Sequence, residues 1–391
     1  MNSLRLMIVA TEPSGDRLGG DLAAALYGRL EGHVSFVGVG GPWMAAQGIV
    51  SPFDPGSLAL LGVFNAIGAY PTVLRRVRQT VDLAARERPV AAILIDAWGF
   101  NLRVAQGLRR LDPKIILIKY VAPQVWATRP GRARTLAGAV DHLLTIHAFD
   151  APLFESVGLP STFVGNPALS RNFDNADAEA LVLRAAIGAT PEDPMVLVLP
   201  GSRGTEIARL AKPFGDAVAL LKAARPKLKV VVAAADAVRE PVKRMVADWI
   251  CEVYLVEGEA ARLGAMRAAS AALACSGTVT TELALAGCPM VVAYRLGAFT
   301  HLVAKLLIRT RYITLINVAA GAFVAPERVQ NGCTGKTLAR DIARLLDDPA
   351  HRNRQITAQN SALEIMRGGQ ADPLAAAADA VIDILRRRGA V

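Results

Sequence analysis

Short apolar segments alternate with amphipathic segments of helical spacing along almost the whole chain. This alternation predicts an α/β fold, because each strand followed by a helix adds one strand to a parallel sheet. The predicted strands of the first half are 4–11, 34–39, 90–95, 115–121, 142–146 and 162–164. Those of the second half are 195–199, 230–234, 253–256, 271–275 and 290–294.

A polar stretch at 170–180 and a proline-containing stretch at 188–194 interrupt the alternation, which then restarts. At 391 residues the chain is also long for a single core. We therefore expect two Rossmann-like domains with a cleft between them, at residues 1–170 and 190–365. One more helix is predicted over 372–388, with Asp372 as N-cap and Pro373 in the first turn. Helices of this kind often pack back on the first domain.

The chain carries a formal net charge of +10, which favours an anionic partner: nucleic acid, a phosphorylated substrate or an acidic membrane. Nucleic acid is disfavoured because aromatic residues make up only 5% of the chain and no basic, aromatic-interleaved motif is evident. The four cysteines and five histidines lack metal-ligand spacing, so neither a metal nor a cofactor is expected.

No signal peptide and no uncharged apolar stretch of bilayer-spanning length is evident, so we expect a cytoplasmic protein that meets a membrane only at its surface. Two segments, 58–78 and 298–312, combine dense apolar residues with Arg and Lys. They are either core helices with solvated basic ends or apolar surfaces suited to a lipid interface or acyl chains.

Two corners of the second half, where a strand leads through a turn into a helix, are suited to phosphate. The first contains Gly201, Ser202, Arg203 and Glu206. The second contains Ser276, Gly277, Thr278 and Glu282. Backbone N–H groups at the positive end of a helix dipole bind phosphate, and the guanidinium of Arg203 adds a planar cation. We expect a nucleotide diphosphate here, with Glu282 accepting from its ribose. No Walker lysine follows either corner, which disfavours NTP hydrolysis.

Polar residues also follow strands of the first half. Asp96 ends the strand 90–95, where α/β folds place ligands. It is either a general base facing a sugar hydroxyl or the cap of a helix that begins near Asn101. The loop 120–134 contains three arginines, Arg129, Arg132 and Arg134, beside aromatic residues. They are either solvated or suited to an anionic headgroup.

Further residues form one ordered set with the motifs above. In the first half the set comprises Glu12, Ser14, Gly15, Asp16, Met44, Asp96, Asn101 and Trp126. In the second half it comprises both phosphate corners with Tyr294, Asn317, Glu327 and Gln330. In this order along the chain, the residues resemble the lipid-A-disaccharide synthases, glycosyltransferases of GT-B type from Gram-negative bacteria.

The resemblance implies transfer of 2,3-diacylglucosamine from UDP to 2,3-diacylglucosamine 1-phosphate, with inversion, without a metal and with loss of UDP. It implies that the second domain binds the UDP-sugar and the first binds the lipid acceptor. Asp96 would take the proton from the acceptor 6-hydroxyl, and Arg203 would offset charge on the departing UDP. The enzyme would work peripherally on the inner face of the inner membrane, and a homodimer is left open.

The chain departs from the family pattern at Trp43, Asn65, Gly99, Asn166 and Ala322. Most of these departures fall in the first, acceptor-facing half. They raise two alternatives: a divergent paralogue that uses a UDP-sugar with another acceptor, and a non-catalytic relative that binds nucleotide sugar.

Overall fold

The computed structural model describes residues 4–56, 66–123, 125, 131–235, 238–297 and 311–391. The chain divides into two units, Met1–Pro167 with Arg367–Val391, and Ala168–Met366. Each unit is built around a six-stranded sheet whose paired strands are parallel. The α/β fold predicted from the alternation of strands and helices is therefore confirmed.

The first unit has the strand order β2-β1-β3-β4-β5-β6. Its strands are β1 (Leu4–Val9), β2 (Val34–Val39), β3 (Ala91–Ile95), β4 (Ile116–Tyr120), β5 (His142–Thr145) and β6 (Ser161–Phe163). Its helices are α1 (Pro13–Arg29), α2 (Pro42–Ala45), α3 (Ala66–Glu87), α4 (Trp98–Leu111), α5 (Gly131–Ala137), α6 (Ala151–Glu155) and, at the end of the chain, α15 (Pro373–Arg387).

The second unit has the strand order β12-β11-β10-β7-β8-β9. Its strands are β7 (Met195–Leu199), β8 (Lys229–Ala234), β9 (Tyr254–Glu257), β10 (Ala271–Cys275), β11 (Met290–Tyr294) and β12 (Glu327–Val329). Its helices are α7 (Ala176–Ala186), α8 (Gly204–Ala224), α9 (Arg239–Ala247), α10 (Glu259–Ala268), α11 (Val279–Leu285), α12 (Leu315–Ala320), α13 (Gly335–Asp347) and α14 (Pro349–Arg367).

The central strands are covered on both faces. Every residue of β3, β4, β7 and β10 is buried, which explains why these strands appear in the sequence as continuous apolar runs.

The carboxyl ends of neighbouring parallel strands meet at one edge of each sheet. The chain turns back across the sheet between β1 and β3 in the first unit and between β7 and β10 in the second. Ligands of open α/β sheets bind at such switch points.

Helix α15 completes the core of the first unit. The Asp372 side chain caps it by accepting from the Ala375 N–H at 2.9 Å. Its buried apolar face, which includes Val381 and Leu385, belongs to the same core as Leu22 and Leu26 of α1. Arg29 and Asp379 form an ion pair of 2.5 Å across the two helices.

The structure extends the sequence-based expectations at two places. Strand β12 is only three residues long and was not predicted. The apolar run 22–30 predicts the first helix by its spacing, but α1 begins earlier, at Pro13, because proline is well suited to a first helical turn. In the part of the chain that the structure describes, no helix is both long and apolar enough to cross a membrane.

Candidate functional site

The two predicted phosphate corners lie side by side at the switch point of the second sheet. One follows β7 and the other follows β10, and the paired residues Leu199 and Ala274 stand near the ends of these two strands. Two corners that are 75 residues apart in sequence, counted from Gly201 to Ser276, are therefore neighbours in the fold. This edge is the place where a parallel α/β sheet accommodates a nucleotide.

At the first corner, Gly201 has a φ of 120°. A Cβ atom there would lie 2.8 Å from Oε2 of Glu206, so the tight turn requires glycine. Glu206 is buried and accepts from the Ser202 N–H at 3.3 Å and from the Arg203 guanidinium at 3.2 Å. The Arg203 side chain is 76% exposed and precedes the first turn of α8. Glu206 therefore shapes the turn, while Arg203 is accessible to an anion.

At the second corner, Gly277 and Thr278 are exposed and the Ser276 hydroxyl donates to the Ile313 carbonyl at 3.4 Å. Glu282 forms ion pairs with the guanidinium groups of Arg171 and Arg262. Sequence reasoning missed both arginines, which lie 111 and 20 residues away from Glu282. The predicted ribose acceptor is thus a carboxylate that two cations already orient.

Three other predicted donor-binding residues form a scaffold beside this edge. Asn317 is fully buried and exchanges hydrogen bonds of 2.9 Å with the backbone of Ala325. Its amide also donates to Glu327, which accepts from the backbone N–H groups of Ile313 and Thr314. The Gln330 side chain bonds to both backbone groups of Leu296, just beyond β11.

Tyr294 is the last residue of β11 and is half-buried. Burial, together with the nearby Glu206 and Cys275, raises the pKa of its phenol. The hydroxyl therefore stays protonated at neutral pH and can donate a hydrogen bond at this edge.

In the first unit, Asp96 follows β3 directly and lies in the left-handed region, with a φ of 48°. Ala97 follows with a φ of 40°, and Val121, just after β4, has a φ of 71°. Each such conformation costs a non-glycine residue about 1–3 kcal/mol, and strain of this kind concentrates at functional sites. Helix α4 begins at Trp98 with Ala97 as its N-cap residue, and among the residues that the structure describes no side-chain hydrogen bond from this N-cap is found, so the alternative role of Asp96 as a helix cap is not observed.

The backbone of Asp96 is held from two sides. Asn101 is buried, and its side-chain amide donates to the carbonyl oxygens of Ile95 at 2.7 Å and Asp96 at 3.0 Å. The ammonium of Lys119, which the sequence-based site did not include, donates to the Asp96 carbonyl at 2.6 Å. Asn101 is therefore next to the proposed reacting group, and it supports the backbone there.

The β1–α1 turn is joined to the loop after β2. Asp16 is buried, and its carboxylate accepts from the backbone N–H groups of Gly41 at 2.7 Å, Trp43 at 3.0 Å and Met44 at 3.1 Å. Met44 is fully buried, and Gly15 packs against Ala10 and Ile95. Asp16, Met44 and Gly15 thus form the support of this loop, whereas Glu12 and Ser14 are exposed at its surface.

The arginine-rich loop is described only in part. The guanidinium of Arg132 lies 5.1 Å from the ring centroid of Trp98, two residues beyond Asp96. Trp126 and Arg129 lie outside the described residues, as do 58–65 and 298–310 of the two basic, apolar segments. Within the described ranges, no group of three His, Cys, Asp or Glu side chains is arranged to hold a metal.

A family model described as lipid-A-disaccharide synthetase matches residues 6–381 of this chain. The chain belongs to the lipid-A-disaccharide synthase family. The synthase of Rhodospirillum centenum is 42% identical over 388 residues, covering 99% of this chain and 96% of that one. The synthase of Paramagnetospirillum magneticum is 39% identical over 384 residues, covering 98% of both chains.

The S. aureus MnaA–UDP co-structure has a TM-score of 0.62 and 12% identity, and the match covers 99% of this chain and 98% of that one. This similarity concerns the fold and confirms the predicted class of two Rossmann-like units. Because the relatives above carry the synthase name, the comparisons do not favour a divergent paralogue or a non-catalytic relative.

The residues that depart from the pattern of the synthase family differ in their surroundings. Trp43 is 52% exposed, and the Arg17 guanidinium lies 5.0 Å from its ring centroid. At Gly99 an added Cβ would meet only the end of the Arg103 side chain, at 3.8 Å. Asn166 is buried and Ala322 is exposed, while Asn65 lies outside the described residues.

Proposed function

We propose that this chain is an inverting, metal-independent lipid-A-disaccharide synthase. It transfers 2,3-diacylglucosamine from UDP to the 6-hydroxyl of 2,3-diacylglucosamine 1-phosphate and releases UDP. The observation that carries the proposal is the match to the synthase family over residues 6–381. The two glycine corners at the switch point of the second sheet support it, because they suit the diphosphate of the donor.

In the proposed reaction, the acceptor oxygen forms a bond to the anomeric carbon of the donor as the Asp96 carboxylate takes the hydroxyl proton. The bond between that carbon and the β-phosphate oxygen breaks, and the electron pair leaves with UDP. Arg203 and the N-terminal amides of the 21-residue helix α8 offset the charge that develops on the leaving group. Asp96 is suited to act as the general base because it lies at the switch point of the first sheet.

The remaining predicted residues take positioning or binding roles in this proposal. Glu12, Ser14 and Arg132 contact the acceptor side, while Asp16, Gly15, Met44 and Asn101 support that surface. Glu282 contacts the ribose, and Tyr294, Asn317, Glu327 and Gln330 shape the donor side. The net charge of +10 favours peripheral contact with an anionic membrane, where both lipid substrates reside.

The direct test is UDP release from the diacylated donor and acceptor by the purified protein. We expect turnover by the wild type, and a loss of at least about 1,000-fold in Asp96→Asn, since the general base then has no free carboxylate. Asp112→Asn is the matched control, because Asp112 is an exposed carboxylate before β4, at the opposite edge of the same sheet. UDP-sugar binding without turnover over a range of acyl lengths would contradict the proposal.

A further inference from the structure

Lys119 occupies an unusual position for a lysine. It is the penultimate residue of β4, where it pairs with Leu94 of the neighbouring strand β3. Its exposure is 3%, and it is the one buried lysine in the part of the chain that the structure describes. Lysines are almost never fully buried unless their charge is compensated. Here the charge is compensated by backbone carbonyl groups at the edge of the sheet where β3 and β4 end.

The Lys119 ammonium donates hydrogen bonds to three backbone carbonyl oxygens. The distances from Nζ are 3.2 Å to Leu94, 2.6 Å to Asp96 and 3.1 Å to Tyr120. An ammonium group has three donors and no acceptor, so three carbonyl partners match its charged form. The neutral amine has only two N–H donors and would lose one of these contacts.

These three carbonyl groups belong to the two strand ends at which the backbone becomes left-handed. Asp96 and Ala97 have φ values of 48° and 40°, and Val121 follows Tyr120 with a φ of 71°. Asn101 also donates to the Asp96 carbonyl, at 3.0 Å. Lys119 therefore joins the ends of β3 and β4 and stabilises the turn that contains Asp96.

We propose that Lys119 is a positioning residue for the carboxylate of Asp96, holding its strained backbone through the ammonium and attracting the carboxylate through its charge. This inference rests on the proposed function, in which Asp96 is the reacting base.

The charges around Lys119 make the arrangement sensitive to pH. Burial lowers the pKa of Lys119 to about 7, and the carboxylates of Asp96 and Glu12 oppose that shift. Both carboxylates act on the ammonium electrostatically, Asp96 from the residue after β3 and Glu12 from the N-cap of α1. The ammonium is thus close to its titration point at neutral pH in the free protein, and the binding of an anionic substrate favours the charged form.

Lys119→Met tests the inference, since methionine retains a long unbranched side chain without the donors. We expect kcat to fall about 100-fold with little change in KM, the result of a misplaced reacting group. In the wild type, kcat/KM should fall as the pH rises above about 7, where the free enzyme loses the ammonium. In Lys119→Met, kcat/KM should not show this fall as the pH rises above about 7. Lys114→Met, an exposed lysine before the same strand, is the control.

Wild-type turnover combined with an unchanged kcat and pH profile in Lys119→Met would overturn the inference and leave the proposed function intact. NMR of protein labelled with ¹³Cε-lysine provides a readout that does not need turnover. The lysine signal that is absent from the spectrum of Lys119→Met is that of Lys119. In the wild type its pKa should lie far below the ordinary lysine value of 10.5, and in Asp96→Asn it should be lower still. Equal titration with and without the Asp96 carboxylate would refute the coupling even if the wild type released no UDP.

Discussion

The side-chain amide of Asn317 donates a 2.8 Å hydrogen bond to Oε1 of Glu327. The Glu327 carboxylate also accepts from the backbone N–H groups of Ile313 and Thr314 and from the Thr314 hydroxyl. These bonds connect the start of β12 to the entrance of α12. The pair therefore contributes to the site by shaping the second unit, which makes its effect measurable without substrate.

Glu327→Gln should destabilise the second unit by about 1–3 kcal/mol, because the amide N–H that replaces Oε2 opposes the Ile313 N–H and the neutral oxygen accepts less strongly from the donors around Oε1. Urea unfolding measures the change. Glu252→Gln provides the control, since Glu252 is exposed. Unchanged stability together with weaker UDP binding would instead indicate that Glu327 acts on the nucleotide directly.

Asp16→Asn should loosen the loop after β2. The carboxylate uses Oδ1 for Gly41 and Met44 and Oδ2 for Trp43, whereas asparagine has a single acceptor oxygen. We expect a loss of about 1–2 kcal/mol, measured by thermal or urea unfolding. Ser14→Ala, in the exposed part of the same corner, should leave stability unchanged. If both variants unfold like the wild type, Asp16 is not the support that we describe.

Arg203→Ala should weaken UDP binding by at least about tenfold, because a charge-assisted contact to phosphate is lost. Its ion pair with Glu206 involves a side chain that is 76% exposed, so stability should change by less than about 0.5 kcal/mol. Isothermal titration with UDP measures the affinity. Lys212→Ala, farther along α8 in an exposed pair with Asp216, should bind UDP normally. Equal affinity in both variants would exclude a phosphate contact by Arg203.

Acid should destabilise the first unit through His147. This histidine is 4% exposed, and burial lowers its pKa to about 4 from the ordinary 6.5. Between these values the unfolded chain binds the proton more readily, so stability falls as the pH drops below about 6.5. The protonation of His147 can lower the free energy of unfolding by about 3 kcal/mol in total, and about 2 kcal/mol of this should already be lost at pH 5.

Urea unfolding from pH 7.5 to pH 4.5 measures this loss, and His147→Gln should reduce its steepness. A wild type and a variant with the same pH dependence would show that other groups govern acid unfolding.

The helices and strands of this protein were predictable where their burial produces a recognisable local pattern of apolar residues in the sequence. Strands such as β7 and β10 are buried on both faces, so their apolar runs ended within a residue of the observed strands. Strand β12 escaped prediction because three partly buried residues leave no such run. The two phosphate corners were recognisable because each combines glycine and hydroxyl residues directly after a strand.

The partners of the site residues were much less accessible from sequence. Arg171 meets Glu282 across 111 positions, and no local pattern encodes that contact. Lys119 did leave a signal, namely a lone charge inside a run that is otherwise typical of a fully buried strand. A charge in such a place must find compensation, and here the compensation is the backbone of Asp96.

Helix α15 has a consequence for how the protein is made. The second unit is continuous in sequence, from Ala168 to Met366, and its core is complete once that stretch has left the ribosome. The first unit must wait, because α1 is covered by residues that are translated much later: Arg29 of α1 forms an ion pair with Asp379, 350 positions farther along the chain. The half of the enzyme that emerges first is therefore the half that finishes folding last, and until α15 is made the apolar face of α1 that it covers stays exposed.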